Sequence, residues 1–247
     1  MASSSERGAA QTPAAPPPPL PPPPPEEVAA FYALVEKRVT AGLLSRDARS
    51  AELSDRAARL AQRLWGDNNS LVLADLRVNE AACLRCLASS STSSSEKEAL
   101  WQRACAILVP VHALLLRRLA DNTLLPGTIK EEEVTYYARL QAFAWKAQDK
   151  PVPSEVVLQG VGVALGYSTL LKAVVHTLNL LMELRGCPLS WESAHSFVLT
   201  ALDAIPRTAT VQIRLQSELD LVVTMEVNMK PQNFEPSFYA AVLRKWR

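Results

Sequence analysis

Cys83 and Cys86 form a CxxC, the spacing at which two thiols share a metal or exchange a disulfide. A redox pair of this kind belongs at a helix N-terminus, where the dipole lowers the thiol pKa. This one lies within Ala82 to Leu87, late in an amphipathic segment. A zinc site wants a second close pair, and Cys105 and Cys187 stand alone. The pattern reads as buried structural thiols, with no metal site. His112, His176 and His195 are single, outside any HExxH spacing, and the first two sit in apolar segments that suit satisfied core histidines. A Ser-His-Asp group assembled across the sequence stays open. The chain has no GxSxG, no GxGxxG and no phosphate-binding GxxxxGK. The expectation is a protein without catalytic residues, cofactor or small-molecule ligand.

Recognition chemistry is more visible than catalytic chemistry. Residues 13–25 hold ten of the 18 prolines. Proline fixes φ and lacks an amide hydrogen, so residues 1–25 read as a disordered arm with a polyproline II tract. Its PPLP core, Pro18, Pro19, Leu20 and Pro21, has the chemistry that WW-type domains and profilin read in aromatic grooves. The other reading of such a tract is a spacer. Farther on, Tyr136, Tyr137 and Trp145 are candidate partner anchors, since aromatics bring large contact area at modest entropy cost. Phe143 and Trp191 share that chemistry, and all five equally suit a core.

Charge excludes one class of partner. There are 26 basic and 25 acidic side chains, and the densest basic run, Arg46 to Arg63, is interleaved with Asp47, Glu52 and Asp55. Such mixing describes a solvated helix face, without the basic excess that nucleic-acid binding rests on. A membrane span is a closer alternative. Gly162 and Gly166 form a GxxxG, and Val161 to Met182 has spanning length. Lys172 near its middle would cost about 2.5–3.5 kcal/mol on insertion, and His176 and Asn179 add polarity. A central helix buried by its neighbours is the preferred reading, so membrane association is not expected.

The elements that position these residues read as helices. With only 8 glycines and many Ala, Leu, Glu, Arg and Gln residues, the composition disfavours turn-rich β structure. The spacing predicts helices over about Glu26–Thr40, with Gly42 as the stop, then Arg46–Trp65 and Ser70–Leu87. Residues 88–95 read as a flexible serine-rich loop. A fourth helix opens on the capping-box pair Ser95 and Glu98, and Pro110 inside it predicts a kink or break. A fifth opens on Thr128 and Glu131 and places Tyr136, Leu140, Phe143 and Ala147 on one face. Further helices follow over about Ser154–Arg185, from Ser190 to Ile205, and from Pro236 to the end. Residues 211–229 alternate like a β-hairpin but lack a partner strand and good turn chemistry, so helix is assigned there too. Without a helix-stop residue after Lys245-Trp246-Arg247, the ending suggests a shortened form of a longer product.

Ser70–Leu87 is followed by Glu98-Ala99-Leu100-Trp101 and Ala106, and over about residues 70–110 this resembles a degenerate tetratricopeptide helix pair. The small residues Ala99 and Ala106 carry that likeness, while the first-helix Trp, Gly and Tyr positions are not matched. The resemblance implies an antiparallel helix stack that presents a groove to a partner. The whole is therefore expected to be all-α, with eight or nine helices in an antiparallel bundle or short α-solenoid over residues 26–247. The function expected is a non-catalytic scaffold or adaptor subunit of a cytoskeletal, ciliary or trafficking assembly, cytoplasmic or cytoskeleton-associated. The alternatives are a protein anchored through residues 161–182 and an enzyme whose site leaves no motif.

Overall fold

The computed structural model describes residues 23–44, 47–66, 71–123, 128–154, 169, 170, 172–174, 176, 177 and 191–204. Among these, helix takes up 84% and strand is absent, so the chain is all-α. Six helices are complete: α1 (Pro25–Leu44), α2 (Ala48–Trp65), α3 (Leu71–Ser90), α4 (Ser94–Ala120), α5 (Glu131–Lys146) and α6 (Trp191–Ala204). Thr169, Leu170, Lys172, Ala173, Val174, His176 and Thr177 are helical as well. That makes seven helical segments among the described residues, below the eight or nine expected. The segments expected at 211–229 and from Pro236 lie outside the described residues, as do most of the proline arm, Gly162, Gly166 and Cys187.

Local chemistry explains most of the boundaries. Pro25 starts α1, where a missing N–H costs nothing, and the Pro24 carbonyl accepts from Glu27 N and Val28 N. α1 then runs through Gly42, the expected stop, to Leu44. One glycine costs a helix only about 1 kcal/mol, too little to end it by itself. α2 is capped by Asp47, whose Oδ1 accepts from Ser50 N at 2.9 Å. It ends at Gly66 with φ 54°, the left-handed region in which glycine has no Cβ penalty.

The serine-rich stretch differs most from its expectation. α3 continues to Ser90 and α4 begins at Ser94, so only residues 91–93 separate them. Ser89 Oγ and Ser90 Oγ donate back to the Arg85 and Cys86 carbonyls, which lets serine remain helical. Ser93, two residues before the expected cap, accepts from Glu96 N. Ser91 Oγ donates to Glu96 Oε2 at 2.7 Å. A short turn between two long helices in contact makes them an antiparallel hairpin. α4 is continuous through Pro110, where a kink or break was expected.

α1 packs on α2, α2 on α3 and α3 on α4, and α5 returns to lie against both α1 and α3. α6 packs on α4. The central helix is α3, with twelve buried positions from Leu71 to Ala88. Around it Phe31, Val35, Leu60, Leu64, Leu108, Leu115, Tyr136 and Phe197 join one continuous core. Leu170, Ala173 and Val174 enter the same core, so this part of the 161–182 stretch is buried by protein.

Candidate interaction groove

Two buried polar clusters fix how these helices stand. Asp75 on α3 is fully buried. Its carboxylate accepts from Tyr136 Oη at 2.8 Å, from Lys172 Nζ at 3.1 Å and from Thr169 Oγ1 at 3.3 Å. Arg38 of α1 stands 3.8 Å away. Burial pushes the Asp75 carboxyl up, but Lys172, Arg38 and the Tyr136 hydroxyl outweigh it and hold the pKa below the ordinary value. Tyr137 Oη meets Thr169 Oγ1 at 2.8 Å. Burial, then the Asp75 charge, drives both tyrosine pKa values well above 10.

The second cluster centres on Glu133 of α5. Its Oε1 accepts from Leu71 N at 2.7 Å and from Arg118 Nη1 at 2.9 Å. Its Oε2 accepts from Arg118 Nη2 at 3.0 Å and from Lys130 N at 3.2 Å. One carboxylate thus caps the start of α5 and the start of α3 while pairing a buried guanidinium of α4. The expected cap at Thr128 and Glu131 shifts by two residues to Lys130 and Glu133, because only Glu133 reaches both helix ends.

His112 follows the same logic. Its Nε2 lies 2.6 Å from Thr177 Oγ1, which donates its only proton to the Ala173 carbonyl, so Nε2 carries the hydrogen. The ring stacks on Phe197 at 4.0 Å. Burial lowers its pKa to about 4, leaving a neutral structural histidine. In all three cases ionisable chemistry serves to join helices. Among the described residues, no group of three or more His, Cys, Asp or Glu side chains gathers as metal ligands. Cys83 and Cys105 are buried and Cys86 is half-buried.

The open feature is elsewhere. α2, α3 and α4 border a groove of about 760 Å³. Its apolar lining comes from Leu73, Ala74, Ala106, Ile107, Pro110, Val111, Ala113 and Leu114, and its polar lining from Arg59, Gln62, Arg77 and Arg117. Ala106, Pro110 and Ala113 are exposed, and their neighbour Val109 is 44% exposed. Asp55 and Glu80 brace the arginines: Arg77 Nη1 lies 2.8 Å from Asp55 and 2.6 Å from Glu80, and Arg59 Nη2 lies 2.8 Å from Asp55. α4 is also long and apolar enough to cross a membrane by length and composition. Here it divides its apolar surface between the core and this groove.

The sequence-derived anchors fall differently. Tyr136 and Tyr137 have no exposed surface, and their hydroxyls are bonded inside the core, so neither is available as a surface anchor. Trp145, near the end of α5, is half-buried. Pro18, Pro19, Leu20 and Pro21 lie outside the described residues. Ala99 and Ala106, which carry the tetratricopeptide likeness, are exposed. The groove residues escaped the sequence reading because Ala, Ile and Pro on α3 and α4 make no motif. The one available signal was Pro110, which leaves the Ala106 carbonyl without its helical donor. Comparison with protein families, curated proteins and solved structures returns no match.

Proposed function

We propose that this chain is a non-catalytic scaffold or adaptor subunit that holds a segment of a protein partner in the α2–α3–α4 groove. The groove carries the reading: an open apolar trough on a body whose buried ionisable clusters are already engaged in joining helices. The α3–α4 hairpin supports a likeness to degenerate helical repeats, whose stacked pairs present such troughs. The proline tract, ending where α1 begins, supplies a second contact for a polyproline-binding domain. Cytoplasmic residence, with attachment to a cytoskeletal, ciliary or trafficking assembly, fits three cysteines held as thiols.

The test is affinity purification with quantitative mass spectrometry of three forms: the full chain, the chain lacking residues 1–25, and Ala113→Trp. Ala113 is exposed in the groove, so tryptophan fills the trough without entering the core. A stoichiometric partner kept without the arm and lost from Ala113→Trp supports the reading. A partner set indifferent to Ala113→Trp contradicts it.

A further inference from the structure

The structure assigns a phosphorylation site to Ser95, in the first turn of α4, with an acid-directed serine kinase as the enzyme that modifies it. The inference goes beyond the scaffold reading and stands apart from it. Ser95 precedes Ala106, the first groove residue on that helix, by about 16 Å at ~1.5 Å per residue. Its hydroxyl is set apart from its neighbours. Ser93 is the cap of α4, with Oγ accepting from Glu96 N. Ser91 Oγ donates to Glu96 Oε2, and Ser89 Oγ and Ser90 Oγ donate to carbonyls of α3. Among the described residues, the Ser95 hydroxyl meets only Ser93 Oγ, at 3.1 Å, and the residue is exposed. Modifying it therefore removes neither the backbone cap nor a core contact.

Charge singles out the same residue. Kinases choose their substrates by the charge pattern around the hydroxyl. Within residues 89–95, Ser95 alone is followed by acids at both +1 and +3, Glu96 and Glu98. Glu96 accepts from Ser91 Oγ at 2.7 Å and Glu98 from Gln102 Nε2 at 2.9 Å, so both carboxylates meet neutral donors. Lys97 lies between them in sequence, but its ammonium sits over the Trp101 ring, 4.8 Å from the centroid.

A kinase cleft takes its substrate extended, so the first turn of α4 has to open through Glu98. That opening spares the core. Residues 94–98 are Ser, Ser, Glu, Lys and Glu, and the first buried side chain of α4 is Ala104. Helix ends open locally at far less than the global free energy. Ser95 Oγ then attacks the γ-phosphorus of ATP, and the bond from that phosphorus to the β-phosphate oxygen breaks. ADP leaves, and the hydroxyl proton passes to a carboxylate base of the kinase. The phosphate brings about 1.5–2 negative charges at pH 7. They stand in the first turn of α4, where the helix dipole favours them, so the modified turn closes again as helix.

The test treats the full chain with Mg–ATP and a recombinant acid-directed serine kinase, active on a Ser-Glu-Glu-Glu reporter peptide, and maps the phosphate by mass spectrometry. The expected result is at least tenfold more phosphate on Ser95 than on any other residue. Glu98→Gln should slow the reaction at least fivefold while leaving the circular dichroism spectrum unchanged. In cells with phosphatases inhibited, the peptide spanning residues 86–97 should carry phosphate on Ser95. Phosphate on Ser93 or spread evenly over residues 89–95 overturns the assignment, as does a rate indifferent to Glu98→Gln. A synthetic peptide of residues 89–102 that is modified while the full chain is not shows the hairpin shielding Ser95, and overturns it too. So does a cellular peptide recovered without phosphate on Ser95. None of these outcomes bears on the groove.

Discussion

Lys172 Nζ stands 3.1 Å from Asp75 Oδ1, and this pair joins the helical residues around 169–177 to the central helix α3. The lysine that argued against a membrane span is therefore the counter-ion of a carboxylate with no exposed surface. Asp75→Asn should cost about 3 kcal/mol, because it strands Lys172 and Arg38 in a poorly solvated site. Lys172→Met should cost less, since Asp75 keeps the Tyr136 and Thr169 hydroxyls and Arg38. Urea unfolding of both variants and the double variant should give a coupling above ~1 kcal/mol. Additive losses would show that the two residues do not act as a pair.

Glu133 carries four contacts, so its loss should spread over three helices. Glu133→Gln keeps an acceptor for Leu71 N but leaves the Arg118 guanidinium, 5% exposed, without its carboxylate. The expected loss is about 3–5 kcal/mol of unfolding free energy. Amide hydrogen exchange at the starts of both α3 and α5 should rise together. Faster exchange at α5 alone would contradict the shared cap.

His112 should make stability depend on pH in one window. Its folded pKa, about 4, lies below the ordinary 6.5, so the unfolded chain binds more protons between those values. The contribution is complete above pH 6.5 and is lost as pH falls toward 4, on the order of 3 kcal/mol in all. His112→Gln should flatten that part of the pH–stability curve relative to the unmodified chain. An unchanged slope would place the titration elsewhere.

Pro110 interrupts the hydrogen bonding of α4 at the groove wall. Pro110→Ala restores the donor for the Ala106 carbonyl and should raise the unfolding free energy by up to about 3 kcal/mol. Thermal unfolding measures it. An unchanged or lower unfolding midpoint would contradict it.

Local patterns in the sequence revealed the helices and hid what joins them. The helix expected over Arg46–Trp65 is α2 to within two residues, because its apolar period lies within one window. Asp75, Glu80, Glu133, Arg38 and Arg118 belong to no local motif, yet all are buried. Asp75 and Glu133 meet partners up to 97 residues away, a distance no local window spans. Tyr136 and Tyr137 fitted both an anchor and a core, and their bonds to Asp75 and Thr169 place them in the core. The serine run misled for another reason: a serine composition signals a loop, while back-bonding hydroxyls allow helix. The groove left only Pro110 as a signal, its apolar lining being divided between α3 and α4.

The central claim is that the α2–α3–α4 groove holds a protein segment, and site-specific photo-crosslinking tests it most directly. A benzoylphenylalanine at Ala113, on the groove, is compared in intact cells with one at Val152, a position 48% exposed and away from the groove lining. The account predicts one dominant protein adduct from position 113, mapped to a single segment of the partner and absent from position 152. No adduct at 113, or the same adducts from both positions, would contradict it.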